Sequence, residues 1–427
     1  MNLLHRLRIK APETNAHWFA FFRSIADQLV FGAPVIVYAK SLGASSIVLG
    51  VIASLAPLTS VLQIPAAKYM EERSYSSFAL TAGKTRIAIS ILIALIPLIS
   101  FWENPGKLWT LIVLLLLMNL TRIPVATAWL PWVTAIIPIE RRGRFLSINQ
   151  LYFVAGSLVL LITAGTIMIG PATSKEYSIV FAISTIGVIA ARHFLRRVPP
   201  AVREPSVQSP HAVPWLAMLS YRPFLKLLGF NMLWVGTLGS LDVFRIEFLR
   251  DQIHYSATEL LFITSFSFVG AMIALPLTSR IIDRVGSRPM LKTSSILYIS
   301  ALTTWCLIAA NVIPCFAWLS IFLFIMTGAA WAIFSVSCSQ ILIGTVPQMG
   351  RSHFFALYSV IIGIGTGVTP IIWGFILDAL TNYELTMWIF HWKRHSIYFL
   401  GLLILNLLAY INIRRFSELS NTQSNSR

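Results

Sequence analysis

Charge is scarce in this chain of 427 residues: Asp, Glu, Lys and Arg together make up 11% of it, with 16 acidic residues against 33 basic ones. Soluble domains carry about a quarter charged residues, so a soluble globular fold is excluded. Cysteine is nearly absent. Cys306, Cys315 and Cys338 lie in apolar contexts without ligand spacing, which excludes a disulfide framework and a cysteine metal site and leaves them as packing residues. Also missing are a glycine-rich phosphate loop ending in Lys-Ser/Thr, zincin spacing and a nucleophile elbow. No catalytic constellation remains; the expectation is a protein that is not an enzyme and holds neither cofactor nor metal.

What the chain has in abundance is apolar sequence. Hydrophobic residues form 56% of it and the mean hydropathy is +0.75. Runs long enough to cross a hydrocarbon core fall near 17–39, 46–66, 87–102, 108–131, 146–169, 178–197, 224–246, 258–279, 291–313, 317–344, 355–378 and 397–414. Pro105-Gly106, Gly170-Pro171 and Asn382 mark turns between them. The expected class is an all-α membrane protein of about twelve transmembrane helices in contact with the lipid bilayer.

The net charge of +17 does not form a nucleic-acid patch, because the cations sit in short loops. Assigned to alternate sides, about 24 of the 33 fall with the N-terminus, which predicts cytoplasmic termini and a bacterial inner membrane. Met1–His17 reads as a cytoplasmic tail before an uncleaved first helix. Trp102, Trp109, Trp318, Trp388 and Trp392 are expected in an outer aromatic belt, with Trp18, Trp129, Trp132 and Trp215 near the inner interface.

The chain also reads twice, with a period of 211 residues (256 − 45). Ser45 falls on Ser256, Pro65 on Pro276 and Glu72-Arg73 on Asp283-Arg284; after a slip of two residues, Pro138, Arg142 and Phe145 fall on Pro347, Arg351 and Phe354. Gly156 and Gly165 fall on Gly365 and Gly374. The Pro-rich polar stretch from Pro199 separates the copies, giving two pseudo-symmetric six-helix bundles at 1–198 and 223–427 joined by a cytoplasmic linker at 199–222, with a short polar tail at the end.

The loop Ser279-Arg-Ile-Ile-Asp283-Arg284-Val-Gly286-Ser-Arg288 resembles the loop signature of the major facilitator superfamily, with Ser279 in place of its first glycine. The first-half copy, Lys68-Tyr-Met-Glu-Glu72-Arg73-Ser-Tyr75, lacks the glycine. Arg122 with Ala126 and Ala128 is similar in part to the family's fourth-helix motif, although Val125 and Ala126 stand for its usual Gln and Gly. Gly170-Pro171 does not match the antiporter motif of the fifth helix, while Gly363-Ile-Gly365-Thr-Gly367-Val-Thr-Pro370 reads as a close-packed, kinkable helix. The resemblance, of unassigned subfamily, implies a twelve-helix secondary active transporter, a symporter or antiporter, with substrate held between the bundles near the midplane. It also implies a gating loop at Asp283, Arg284, Gly286 and Arg288, with Glu72, Arg73, Arg142 and Arg351 as its counterparts.

Ionisable groups inside apolar runs are costly and mark function by default. Asp27 lies near the bilayer middle, Arg23 is one turn away, and Arg122 reaches a similar depth from the other side, so the three are expected to form one proton-coupling cluster. A structural Arg23–Asp27 ion pair is the plain alternative. Asp242 is expected as a rim charge beside Arg245, Glu247, Arg250 and Asp251. Gln28, Asn149, Asn231, Trp234, Trp331 and Trp373 are candidates to line a substrate cavity, although mid-helix tryptophans more often pack a core. The resulting expectation is a monomeric transporter whose partners are a small-molecule substrate, anionic or amphipathic rather than cationic, and protons, with no nucleic acid. The alternative is a non-transporting protein on the same fold: an assembly factor, a lipid or pigment handler, or a receptor.

Overall fold

The computed structural model describes residues 11–70, 74–170, 172–201, 220–345 and 351–413. Among them are twelve helical segments long and apolar enough to cross a bilayer, here spans 1 to 12 in chain order. They are Glu13–Ser41, Ser46–Met70, Tyr75–Leu98, Asn104–Val133, Arg141–Ile167, Ser174–Leu195, Arg222–Asp251, Ala257–Ile282, Ser287–Ala309, Ala317–Leu342, Leu357–Ala379 and Arg394–Ile413. In lipid every backbone N–H and C=O must be satisfied within the segment, so apolar runs of this length become helices. Small and polar side chains face inward: span 3 buries Ser90 and Ile93 and leaves Ile91, Leu92 and Leu95 exposed. The chain is an integral membrane protein of the expected class.

The duplication is visible in the caps. Ser45 and Ser256 both stand in extended conformation before their helices and accept a backbone N–H with the hydroxyl. Span 3 departs most from expectation: instead of 87–102 it occupies Tyr75–Leu98, because Ser74 caps a short first segment by accepting the Ser77 N–H at 3.3 Å. Trp132, expected at the inner interface, is instead fully buried in the first unit's aromatic core, its indole N–H donating to the Pro199 carbonyl at 2.8 Å. The segment after span 11, where Asn382 is expected to mark a turn, forms a two-stranded antiparallel hairpin. Leu385–Met387 (β1) pairs with Phe390–Trp392 (β2), and Trp388 turns the tip at φ 58°.

Two compact units result, Met1–Tyr38 with Leu62–Ser206 and Ala39–Val61 with Val207–Arg427. They differ from the sequence halves in one place, since 39–61 groups with the second unit. The reason is close backbone approach and polar anchoring. A side chain at Gly374 in span 11 would meet the Ser46 carbonyl at 2.6 Å, and Asp378 accepts the Ser46 and Ile47 N–H groups at 2.9 Å each, a carboxylate on a helix N-terminus. In the first unit, span 1 packs along spans 5 and 6. Most of the linker at 199–222 lies outside the described residues, as does Trp215.

Candidate functional site

The first unit encloses a cavity of about 210 Å³ walled by spans 1, 3, 4, 5 and 6. Asp27, Arg86 and Arg122 in its wall lie at one depth. Asp27 is 14 residues from the start of span 1 (27 − 13), Arg86 is 11 from the start of span 3 (86 − 75), and Arg122 is 11 from the end of span 4 (133 − 122). Successive spans cross in opposite directions, so these three ends share a membrane face and the side chains sit roughly 16–21 Å in, at mid-bilayer.

Asp27 is buried and its closest partner is Arg86, whose Nη2 donates to Oδ1 at 3.0 Å. Arg23 stands 4.0 Å from the other carboxylate oxygen, so the pair expected from the i, i+4 spacing is present as the longer of two contacts. Arg122 lines the same cavity, as does Arg192, which donates to the Leu80 carbonyl at 3.3 Å. Four guanidinium groups against one carboxylate leave a formal excess of three positive charges (4 − 1).

Aromatic faces hold two of these cations in place. The Arg23 guanidinium lies 5.1 Å from the centre of the Phe153 ring and 5.8 Å from that of Phe19, and Arg122 lies 5.3 Å from that of Phe31. Stacking occupies the faces of a guanidinium and leaves its edge free to donate. Among the described residues, Arg23 Nε and Arg122 Nη1 are buried donors that meet no hydrogen-bond acceptor. Such a site can hold an anion and can set it in competition with Asp27 for the same cations.

Arg23, Asp27 and Arg122 are thus brought together as the sequence predicts, while Arg86 and Arg192 come only with the structure. Arg86 lay outside a span read as starting at residue 87; the signal that could have found it is Ser74, a helix-starting serine 12 residues earlier (86 − 74). The cavity candidates lie elsewhere. Gln28 is buried beside Asp27 but does not line the space, and Asn149 donates to the Ala16 carbonyl at 3.1 Å, tying span 5 to span 1. Asn231 accepts from Cys338 and Tyr358, each at 3.0 Å, and Trp234 is fully buried, stacked 4.2 Å from Phe334. Trp373 meets Tyr398 edge to face, and Trp331 is partly exposed.

Of the gating residues, Glu72 and Arg73 lie outside the described residues, as do the side chains of Asp283 and Arg351. Gly286 ends the helix of span 8 at φ 85°, a conformation that costs a non-glycine residue, Arg284 is exposed, and Arg288 donates to the Ile413 carbonyl at 3.2 Å. Arg142 donates to the Ile137 carbonyl at 3.0 Å.

The second unit carries a different set of charges at its span ends. The side chain of Asp242, nine residues from the end of span 7 (251 − 242), is 80% exposed, whereas Arg245 is buried: it pairs with Asp242 at 2.7 Å, donates to Thr327 Oγ1 at 2.9 Å and lies 3.6 Å from the centre of the Phe324 ring. Glu247, four residues from the end of span 7 (251 − 247), is also fully buried. It accepts from Ser46 at 2.7 Å and meets Lys40 at 3.3 Å and Arg394 at 3.7 Å, while Asp251 meets the same two cations at 2.7 and 3.0 Å. These partners, at residues 40, 46 and 394, are distant in sequence.

The sequence model of the Major Facilitator Superfamily matches residues 240–416. Among solved structures, the nucleoside transporter NupG is 14% identical with a TM-score of 0.71, over 95% of this chain and 99% of that one. A D-xylose-proton symporter is 13% identical with a TM-score of 0.75, over 95% and 97% of the two chains. The xylose transporter XylE from E. coli, in an inward-open conformation, is 13% identical with a TM-score of 0.70, over 96% and 97%. No curated protein matches the chain by sequence. Its twelve spans share the fold of these transporters over nearly their whole length, and residues 240–416 match the Major Facilitator Superfamily model, with no subfamily assigned.

Proposed function

We propose that this protein is a secondary active transporter that moves a small organic anion by alternating access, with a proton carried at Asp27. The observation behind this reading is the buried Asp27–Arg86 pair at mid-bilayer in a cavity that holds three further arginines. A charge at this depth is costly, and one carboxylate among four guanidinium groups leaves cations in excess. An incoming anion that neutralises two of those cations weakens their hold on ionised Asp27, so anion and proton load together. The fold neighbours are transporters of nucleosides and of xylose, one of them a proton symporter, which favours transport over a receptor role on the same fold. The charge bias of the loops favours cytoplasmic termini and a bacterial inner membrane, and the Asp283–Arg288 loop is the proposed gating element.

The test is proton movement in proteoliposomes that enclose a pH-sensitive dye. A pool of organic anions added outside should drive proton entry with the intact protein and none with Asp27→Asn. Anion entry that persists with unchanged proton movement in Asp27→Asn removes Asp27 from coupling.

A further inference from the structure

The chemistry of the cavity narrows its ligand, on the premise that it is the transport site. Its lining is divided sharply. Besides the four arginines and Asp27 it consists, among the described residues, of Phe, Leu, Val, Ala and Gly, with no Ser, Thr, Asn, Gln, His, Tyr or Trp side chain. A sugar, a polyol or a nucleobase buried there would leave its hydroxyl and amide groups without partners, at about 1–3 kcal/mol for each. The charged groups are not equally free either. Arg86 is committed to Asp27 and Arg192 has one N–H on the Leu80 carbonyl, whereas Arg23 Nε and Arg122 Nη1 are buried donors with no acceptor. Arg122 makes no hydrogen bond among the described residues and Arg23 only its 4.0 Å approach to Asp27, so both guanidinium groups are available to a carboxylate. Size sets the remainder: a dry apolar cavity of about 150 Å³ accepts a benzene ring, so the roughly 210 Å³ here holds a body of that size together with a head group.

We infer that the cavity takes a single-headed organic anion with a compact apolar body, an aromatic or short-chain monocarboxylate. Its carboxylate sits on the edges of Arg23 and Arg122, which the rings of Phe19, Phe153 and Phe31 hold by their faces. The body lies against Val125, Ala126 and Val188. Beyond the arginines the wall is apolar, so a second charged head would be buried against Phe, Leu, Val and Ala, and dicarboxylates are refused. A neutral molecule of the same shape leaves both donors as they were and gains only its apolar contact.

The experiment is thermal unfolding of the purified full chain in detergent with benzoate, hexanoate, succinate, inorganic phosphate or benzyl alcohol as probe. Benzoate and hexanoate should raise the midpoint in a saturable way, and the other three should leave it in place. Arg122→Gln and Arg23→Gln should each weaken benzoate at least tenfold. Because a variant that removes a buried charge can fail to fold, Ala126→Phe is the second probe: it removes no charge, fills the body of the cavity and should weaken hexanoate at least tenfold. Succinate or phosphate stabilising as well as benzoate overturns the single-headed assignment, and benzyl alcohol doing so overturns the need for a carboxylate. If neither benzoate nor hexanoate shifts the midpoint while other anions still drive Asp27-dependent proton entry, the substrate class is wrong and the transport reading stands. If benzoate binds but no anion ever moves protons in proteoliposomes, the site assignment stands and the transport reading fails.

Discussion

The four positions that build the charged heart of the first unit are apolar one repeat later. Adding 211, Arg23 corresponds to Trp234, Asp27 to Leu238, Arg86 to Leu297 and Arg122 to Ile333. Trp234 is fully buried and stacked on Phe334, where its counterpart presents a guanidinium to a cavity. The second unit instead keeps its charges near the ends of spans 1, 7 and 12, as the Lys40, Glu247, Asp251 and Arg394 network and the Arg245–Asp242 pair. The mid-bilayer ion pair of the first unit thus has apolar residues at the corresponding positions of the second. The internal repeat departs from symmetry at the candidate site.

The comparison breaks most readily through the arginines. Arg86→Met strands Asp27 at mid-bilayer with Arg23 at 4.0 Å as its nearest cation, and should cost about 3–5 kcal/mol. Arg245→Met frees a carboxylate that is already 80% exposed and replaces a stacked cation by an apolar body, so about 1 kcal/mol or less is expected. Thermal unfolding of both variants measures the difference; equal losses would mean that the two units use their buried arginines alike.

Asp27→Asn should bring proton-driven accumulation down to the level of empty liposomes while equal-concentration exchange of the anion survives, which uptake with and without a pH gradient records. Full pH-driven accumulation in this variant reduces Asp27 to a structural partner of Arg86. Lys40→Met should be milder, about 2 kcal/mol in denaturation, because Arg394 still meets both Glu247 and Asp251. A loss as large as that of Arg86→Met would show that the span-end network is as dependent on one cation as the cavity is. Asp283→Asn should slow flux about tenfold, about 1.4 kcal/mol on the barrier, with benzoate binding retained. Labelling of introduced cysteines completes the series: Thr386→Cys should react from outside and Ser209→Cys should not, and the reverse pattern inverts the topology.

Much of this was legible in the sequence because bilayer thickness imposes a length on every apolar run. Eleven of the twelve spans lie within about five residues of expectation at both ends. Span 3 does not, since Ser74 starts a helix among polar residues that a hydropathy reading assigns to a loop, and Arg86 was hidden by that error. Asp27, Arg23 and Arg122 could be grouped from depth alone, as rise per residue converts sequence position into height in the membrane. The burial of Trp132 and Glu247 was not legible for one reason: it depends on what packs alongside, and their partners, Pro199 in one case and Ser46 and Lys40 in the other, are remote in the chain.

The sequence by itself determined the class, the number of spans, the duplication and the height of each intramembrane charge, all of which follow from local composition and a fixed helical rise. Tertiary structure alone decided which cation holds Asp27, that Arg192 joins it, that two guanidinium donors are left unmet, and that residues 39–61 group with the second unit. Height along a helix is a one-dimensional quantity that counting residues supplies. Which way a side chain faces around the helix, and which neighbour it then meets, depends on packing between segments far apart in sequence, and that cannot be counted along the chain.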